Sequence, residues 1–358
     1  MSEQSRVRTV PAGSTSFLLR EQTSDGGGTA VLLLHGVPET SSCWERLAPR
    51  LAGDRRVLAP DLPGLGGSTY TGPYDVASLA AELAALVEAE LPGQQVDVVG
   101  HDWGGSLALG LAGARPDLVR RLVVVNAPYR KVPLRALHIP FFALPGLPEL
   151  AMKAAGRRMV DAAFRLGWKA GTELDPESLA EYRAVYTKPS VVSAMLGYYR
   201  AATRPRVARA LHLGSSVPGV PRVRAEKAMV LWGAADPILP VATGEAAVRD
   251  LGADCVMVTV PGAGHFVVEE APDVVADVLL DFLGDEPGEH AGPPEKHGHS
   301  PVEPPPAVLE EPPMEPAEKA APVRKAPAKK AAKKAPAKKA ASAKAPAKRE
   351  APPSSGTG

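Results

Sequence analysis

The segment at residues 96–105 constrains this chain more than any other, because an apolar run there meets a cluster of glycines. The valine-rich run 96–99 predicts a buried strand, and the Ala- and Leu-rich run 104–114 predicts a helix. Between them stands the pattern Gly-x-Asp-x-Gly, centred on Asp102. Glycine lets the backbone cross itself where a Cβ would not fit. We therefore expect a sharp, strained turn that ends the strand at Gly100 and lifts the Asp102 side chain above the sheet.

A carboxylate in that position restricts the chemistry that the turn can support. Attack by a carboxylate on an acyl carbon gives an anhydride that easily reverts, whereas attack on an electrophilic sp3 carbon gives an ester that water can hydrolyse. Epoxides and alkyl halides carry such carbons. The alternative is that Asp102 only caps the helix that follows it, since Asp is common at helix N-caps.

Strand and helix patterns alternate along residues 1–127, which predicts the first part of a mostly parallel sheet with helices on both faces. The first two strands of this part are expected to be edge strands. In chain order, the expected strands are 6–10, 16–20, 30–34, 56–59, 96–99 and 122–125, and the expected helices are 44–51, 76–90 and 104–114.

The alternation stops at Pro128, and prolines and helical patterns replace it up to about residue 222. We expect residues 128–222 to form a helical lid at the carboxyl edge of the sheet, which would bury the site and exclude water from it. The sheet is expected to resume in residues 223–284. The expected elements after Pro128 are helices at 150–167, 176–187 and 191–202, strands at 228–232 and 256–260, and a final helix at 272–283.

Two polar residues follow the late strands as Asp102 follows its own strand. Asp236 comes just after the predicted strand 228–232, and His265 lies in a glycine-flanked loop after the next strand. Because parallel strands end at the same edge of a sheet, we expect Asp102, Asp236 and His265 to lie close together. The alternatives are that Asp236 only starts a turn before Pro237 and that His265 is an ordinary loop histidine. His101, directly before Asp102, is expected to point elsewhere.

With these motifs, the chain resembles the epoxide hydrolase branch of the α/β-hydrolases over residues 17–284. Four segments carry the resemblance: His-Gly-Val-Pro at 35–38, Gly-His-Asp-Trp-Gly-Gly at 100–105, Trp-Gly-Ala-Ala-Asp-Pro at 232–237 and Gly-Ala-Gly-His-Phe at 262–266. The resemblance implies an α/β-hydrolase fold in which Asp102 is the nucleophile, His265 the base and Asp236 its orienting acid. It also implies that the backbone N–H groups of Val37 and Trp103 form the oxyanion hole, since Pro38 has no N–H.

Related dehalogenases leave an alternative open. Haloalkane dehalogenases share much of this pattern, including an Asp followed by Trp, so release of a halide is the rival activity. Fluoroacetate dehalogenases are similar too, but they typically carry Arg after the nucleophile, where this chain has Trp103.

The resemblance further implies two lid tyrosines that assist the opening of an epoxide. One of them stands directly before an arginine in a segment similar to Gly-Tyr-Tyr-Arg at 197–200, which indicates Tyr199. By alignment, His138 occupies the place of the other tyrosine, a few residues before Pro-Gly at 145–146. A neutral histidine can donate one hydrogen bond, so we expect Tyr199 and His138 to hold the epoxide oxygen. The alternative for both is an aromatic residue that only packs in the lid.

Residues 285–358 differ from the rest of the chain in their charge and composition. Nine acidic residues and two lysines occupy 285–319, whereas eleven Lys or Arg and one Glu occupy 321–350, so the net charge of +1 hides two segregated charge blocks. Frequent proline and the absence of aromatics predict a disordered tail. A hypothesis of a different class follows, in which the protein binds nucleic acid or another polyanion through this basic tail.

Cysteine usage and hydropathy indicate the compartment. The two cysteines, Cys43 and Cys255, have no metal-site spacing and do not suggest a disulfide scaffold, so we expect a cytoplasmic enzyme without metal or cofactor. No apolar signal region stands at residues 1–10, and no apolar run is long enough to span a bilayer. From the Asp102 motif and the resemblance above, the expected partners are a small epoxide or halide substrate and water.

Overall fold

The structure, a computed structural model, describes residues 4–24, 26–129, 138–169, 171–210, 223, 225–252 and 254–284. These residues all belong to the first of the two units into which the chain divides, Met1–Gly292. The predicted disordered tail, 285–358, lies outside the described residues. No helix within the described ranges combines the length and the apolarity that crossing a bilayer requires.

One sheet of eight strands organises the described residues, and its strands lie in the order β1-β2-β4-β3-β5-β6-β7-β8. The strands are β1 (Gln4–Ala12), β2 (Thr15–Thr23), β3 (Gly28–Leu34), β4 (Arg55–Pro60), β5 (Val96–His101), β6 (Val119–Val125), β7 (Lys227–Gly233) and β8 (Cys255–Val260). The pairs β1–β2 and β2–β4 are antiparallel, and all other pairs are parallel. The predicted mostly parallel sheet is thus confirmed, and its parallel strands end at one common edge.

Ten α-helices accompany the sheet in the described residues. They are α1 (Ala48–Ala52), α2 (Val76–Glu90), α3 (Trp103–Ala114), α4 (His138–Ala143), α5 (Leu147–Gly167), α6 (Pro176–Val185), α7 (Pro189–Ala210), α8 (Val241–Leu251), α9 (Val267–Glu270) and α10 (Pro272–Leu283). Because side chains alternate along a strand, each central strand serves two cores. Leu32 packs with the core that contains α2 and α3, whereas Val31 and Leu33 pack with the core that contains α1 and α10. Helices therefore cover both faces, as predicted.

Three expectations about local structure were wrong. Residues 44–51 do not form one helix, because a 3-10 turn at Ser41–Trp44 precedes α1, which begins just before Pro49. Proline lacks an N–H and fits only the first turn of a helix, so α1 has to begin there. β2 is not an edge strand, since it pairs with β1 on one side and β4 on the other. β5 does not end at Gly100 but continues to His101, which pairs with Val125.

Four helices, α4 to α7, lie between β6 and β7 in the sequence, where a lid is predicted. They contact the loops at the carboxyl edge of the sheet through buried hydroxyl groups. Tyr186 donates a hydrogen bond of 2.7 Å to the Glu39 carbonyl, and Tyr198 donates one of 2.8 Å to the Pro63 carbonyl. Residues 130–137 and 211–222, at the two ends of the predicted lid, lie outside the described residues.

Candidate active site

Asp102 occupies the turn between β5 and α3 with a backbone conformation that is rare for a residue with a side chain. Its φ is +48° and its ψ is −115°. A Cβ on Gly100 would overlap the Gly104 carbonyl, and a Cβ on Gly104 would overlap the Leu34 carbonyl. Both flanking glycines are therefore required sterically, and the surrounding backbone holds Asp102 in its strained conformation.

The Asp102 carboxylate does not cap the helix that follows it. Asp102 stands at the N-cap position of α3, but its side chain makes no capping hydrogen bond. Instead, Oδ1 accepts a hydrogen bond of 3.2 Å from the Val37 N–H, and the neighbouring Trp103 N–H helps to lower the pKa of the carboxylate. The structure therefore brings the two predicted oxyanion donors together at Asp102.

His265 and Asp236 lie beside Asp102 at the same edge of the sheet. His265 Nδ1 lies 2.8 Å from Asp236 Oδ2, and His265 Nε2 lies 3.6 Å from Asp102 Oδ2. Asp236 is held in turn by the N–H groups of Ile238 and Leu239, at 2.7 and 2.9 Å from Oδ1. A carboxylate with this many donors cannot rotate freely, so it fixes the orientation of the imidazole.

Burial and the neighbouring charges have opposite effects on the pKa values of His265 and Asp102. Burial opposes the protonated form of His265, but the carboxylates of Asp236 and Asp102 outweigh it and raise the pKa of His265 to about 10. For Asp102, burial favours the neutral acid, yet hydrogen bonding and charge from His265 lower its pKa. The resting site therefore contains an imidazolium between two carboxylates at neutral pH.

A cavity of about 360 Å³ opens onto Asp102 and His265. Most of its lining residues are apolar, and few polar groups reach it. The apolar residues include Val37, Val76, Ile139, Phe142, Met152, Met159, Val160, Leu166, Met195 and Ile238. Such a cavity suits a small apolar molecule that a few polar groups orient. Within the described ranges, no group of three or more His, Cys, Asp or Glu side chains is arranged to hold a metal ion.

Tyr199 and His138 both line this cavity, as does Asp102. The Tyr199 ring lies 5.3 Å from the Trp103 ring and 5.9 Å from the His138 ring, and both contacts are edge-on. Burial and the nearby Asp102 charge raise the pKa of Tyr199, and burial lowers the pKa of His138. At neutral pH, the cavity therefore presents a neutral phenol and a neutral imidazole to a ligand.

Asn126 is a site residue that sequence reasoning missed. It follows β6 with a φ of +39°, donates a hydrogen bond of 2.7 Å to Asp236 Oδ2 and accepts one of 2.8 Å from the Gly233 N–H. Asn126 therefore holds Asp236 in place. The signal that could have found it is its position, because a polar residue directly follows a buried strand, as at Asp236.

Two further residues that support His265 were not singled out either. His101 is fully buried and, as expected, does not line the cavity. Its Nε2 lies 2.9 Å from the carbonyl oxygen of His265. The Glu270 carboxylate accepts hydrogen bonds from the N–H groups of Gly264, Phe266 and Lys169 at 2.7–3.0 Å. Glu270 therefore fixes the loop that carries His265 to the chain segment after α5.

Known proteins resemble the chain over this whole region. The model of the alpha/beta hydrolase family matches residues 31–278. A soluble epoxide hydrolase of Corynebacterium sp. is 28% identical over 72% of this chain and 91% of that protein. A fluoroacetate dehalogenase of Burkholderia sp. is 30% identical over 73% of this chain and 88% of that protein. The crystal structure of epoxide hydrolase A from Mycobacterium thermoresistibile has a TM-score of 0.64 at 26% identity, covering 78% of this chain and 98% of that one.

Proposed function

This chain belongs to the alpha/beta hydrolase family, and we propose that it is a hydrolase that opens epoxides to vicinal diols through an ester with Asp102. One observation carries the proposal: a carboxylate, rather than a hydroxyl or thiol, occupies the strained turn beside His265. A carboxylate there favours attack on an sp3 carbon over acyl transfer. The epoxide hydrolases among the similar proteins support the same choice of substrate.

In the first half-reaction, Asp102 attacks the less hindered epoxide carbon and the C–O bond breaks. The leaving oxygen is an alkoxide, which requires a proton as it departs. Tyr199 lines the same cavity and stays protonated because burial and the Asp102 charge raise its pKa. Tyr199 is therefore the proposed proton donor, and His138 is a proposed second hydrogen-bond donor to the oxygen.

The same step changes His265 from an acid into a base. The pKa of about 10 of His265 depends in part on the Asp102 charge, and esterification removes that charge. The pKa of His265 then falls, and the proton that it releases replaces the proton that Tyr199 donated. The base is thus activated only when an ester is present to be hydrolysed.

In the second half-reaction, His265 takes a proton from water, and the resulting hydroxide attacks the carboxyl carbon of the ester. The N–H groups of Val37, which donates to the Asp102 carboxylate in the free enzyme, and of Trp103 would stabilise the oxyanion by a few kcal/mol. The diol leaves, and Asp102 and the protonated His265 are restored. We infer that helices α4 to α7 act as the lid, since residues of α4, α5 and α7 and Tyr186 at the end of α6 line the cavity and would limit the entry of water.

The size and lining of the cavity indicate the substrate class. A volume of about 360 Å³ with few polar groups fits a small apolar epoxide better than a charged or sugar-like one. A dehalogenase is the alternative, and a fluoroacetate dehalogenase is among the similar proteins, but the residues beside Asp102 favour the epoxide. A leaving halide needs N–H donors rather than a proton. Trp103 could supply one donor, but the apolar side chain of Val37 offers no second donor beside Asp102.

Single-turnover hydrolysis of styrene oxide in heavy-oxygen water tests the ester. We expect the label in the Asp102 carboxylate and not in the diol, because water attacks the carboxyl carbon. His265→Gln should accumulate the alkyl-enzyme. Label in the diol after one turnover, or no alkyl-enzyme in this variant, would contradict the mechanism.

A substrate panel of epoxides, haloalkanes and activated esters, assayed on Tyr199→Phe, tests the choice of substrate. Loss of the hydroxyl should lower kcat for epoxides by about 100-fold, in the range of general acid catalysis. Tyr198→Phe is the matched control, because the Tyr198 hydroxyl bonds the Pro63 carbonyl and Tyr198 does not line the cavity. Efficient halide release that both variants retain would favour the dehalogenase.

Two other expectations from the sequence stay predictions. A cytoplasmic location agrees with the two cysteines, which are free and buried. Polyanion binding by the basic tail would be tested by a gel shift at low and moderate salt, with and without residues 285–358.

A further inference from the structure

A buried chain of polar side chains lies behind His265, on the side away from the cavity. His101 Nε2 lies 2.9 Å from the His265 carbonyl, which can only accept a hydrogen bond, so Nε2 carries a proton. His101 Nδ1 lies 2.7 Å from Glu39 Oε2. The same oxygen accepts the Gly36 N–H at 3.1 Å. Glu39 is therefore the acceptor for both groups, which makes His101 an imidazolium paired with an ionised Glu39.

The second oxygen of Glu39 leads to another acid. Glu39 Oε1 and Glu269 Oε2 are both inaccessible to water, and neither has a donor among the described residues. The Glu39 charge raises the pKa of Glu269, so the two carboxyl groups are close neighbours, and their two unpartnered oxygens can share a proton. Two carboxylates repel, whereas a carboxylic acid and a carboxylate form a strong hydrogen bond. A single shared proton therefore satisfies both oxygens at once.

The neighbours of each acid decide which one carries the proton. Glu39 has a charged partner, His101, and a backbone donor, both of which favour the ionised form. Among the described residues, the hydrogen-bond donor to Glu269 is the neutral hydroxyl of Tyr182, at 3.0 Å from its Oε1. Burial and the Glu39 charge accordingly raise the pKa of Glu269 well above its usual range, while His101 outweighs burial and lowers the pKa of Glu39.

We propose that Glu39 and Glu269 share one proton held on Glu269, and that this pair positions the base His265 through His101. The proposal deepens the function above and rests on it for the role of His265, but the shared proton itself does not depend on that function. Neither glutamate lines the cavity, so both are positioning residues rather than catalytic ones.

The pair also connects His265 to the proposed lid. Tyr182 on α6 donates to Glu269, and Tyr186 at the end of α6 donates to the main-chain carbonyl of Glu39. Displacement of α6 would remove the donor to the Glu269 carboxyl group and the donor to the Glu39 main-chain carbonyl. The hydrogen bonds that orient His265 are therefore complete only when this helix is docked on the sheet edge.

Infrared difference spectroscopy tests the shared proton without any substrate. At pH 7, the spectrum of the wild type minus Glu269→Gln should show the loss of a protonated carboxyl band, and that of the wild type minus Glu39→Gln the loss of an ionised carboxylate. Glu88→Gln, an exposed residue paired with Arg115, is the control and should show an ionised carboxylate only. Loss of an ionised carboxylate in Glu269→Gln would overturn the assignment.

Rapid-quench kinetics test the positioning role. Glu39→Gln should slow hydrolysis of the alkyl-enzyme by about tenfold or more, while its formation changes less than threefold, because only the second step uses His265 as a base. Glu269→Gln imitates the neutral acid and should hydrolyse the intermediate at least fivefold faster than Glu39→Gln. Equal slowing of both steps in Glu39→Gln, or equal damage in the two variants, would refute the role.

If Glu39→Gln fails to fold, the Glu269→Gln infrared spectrum still decides the proton assignment. A matched pair at Glu269 then supplies the kinetic evidence. Glu269→Ala should slow hydrolysis of the alkyl-enzyme more than Glu269→Gln does, since alanine leaves Glu39 Oε1 without a donor. An alkyl-enzyme that never forms in the wild type would refute the proposed function, whereas the infrared result would stand on its own.

Discussion

Replacing Asp102 with Asn should convert His265 from an acid into a base without any substrate. Asparagine is neutral, as the esterified Asp102 is, and has nearly the same shape. In the wild type, His265 Nε2 and Asp102 Oδ2 lie 3.6 Å apart. At an effective dielectric constant of about 20, two unit charges at that distance attract by about 5 kcal/mol, or about 3 pKa units. Water in the cavity screens the pair, so we expect the pKa of His265 to fall from about 10 to between about 7 and 9.

Heteronuclear NMR of the histidine side chains over pH 5 to about 11 measures this shift, as in other titrations of perturbed groups. The resonance of His265 is assigned by its absence in His265→Gln. Asp117→Asn is the control, because Asp117 is an exposed residue paired with Arg115 and should leave the titration unchanged. Asp236→Asn should also lower the pKa, since Asp236 is the other carboxylate on the imidazole.

The result that would refute this reasoning is a small shift. If the pKa of His265 falls by less than about half a unit in Asp102→Asn, the Asp102 charge does not keep the proton on His265. Esterification would then not activate the base, and the wild-type histidine would have to lose its proton by another route before hydrolysis.

Three other predictions concern single residues. His265 has a raised pKa, so its contribution to stability is complete below pH 6.5 and is lost as the pH rises through about 10. Between these pH values, the Tm of the wild type should therefore fall more than the Tm of His265→Gln. Asn126→Ala leaves the Gly233 N–H buried without its acceptor and removes a donor from Asp236; urea unfolding should show a loss of about 1–3 kcal/mol, and kcat should fall. His138→Phe should lower kcat for epoxides less than Tyr199→Phe does, because His138 is only a second hydrogen-bond donor.

Two kinds of site residue could be predicted from the sequence: those in a short local motif, and those that directly follow a strand of a parallel sheet. The Asp102 turn needs only two glycines at a fixed spacing, and the structure requires both for backbone contacts. Asp236 and His265 could be placed beside it because each follows a parallel strand, and such strands end at one edge. A pattern of alternating strands and helices was sufficient for this, even where the ends of single elements were wrong.

The parts that could not be predicted depend on contacts between distant segments. A glutamate in a sequence normally indicates a solvated surface, yet Glu39 is fully buried because His101 and Glu269, far away in the chain, surround it. α4 was not expected, because Pro140 falls in its first turn and the helix is only six residues long. Its apolar residues contact α7 and line the cavity, and they do not recur at a helical spacing that the sequence would show.

The proposed cycle keeps the net charge of the buried site constant. The groups paired directly with the two imidazolium ions, His101 and His265, are three carboxylates, Asp102, Asp236 and Glu39. Esterification removes one charge of each sign, so one negative charge remains in excess in both states. An ionised Glu269 would add a second uncompensated negative charge beside Glu39, at a cost of several kcal/mol, which explains why the proposal keeps Glu269 neutral.

This balance predicts a strong coupling between Asp102 and His265 in a double-mutant cycle. His265→Gln leaves Asp102 without its counter-ion, and Asp102→Asn removes the charge that holds the proton on His265, whereas the double variant removes both charges of the pair. By urea unfolding at pH 7, the double variant should be more stable than the sum of the single effects by about 1–3 kcal/mol. An Asp236→Asn and Asp117→Asn cycle, on residues that make no contact, is the additive control. Additivity of Asp102→Asn and His265→Gln would mean that the two charges do not compensate each other, and the constant-charge argument would then be wrong.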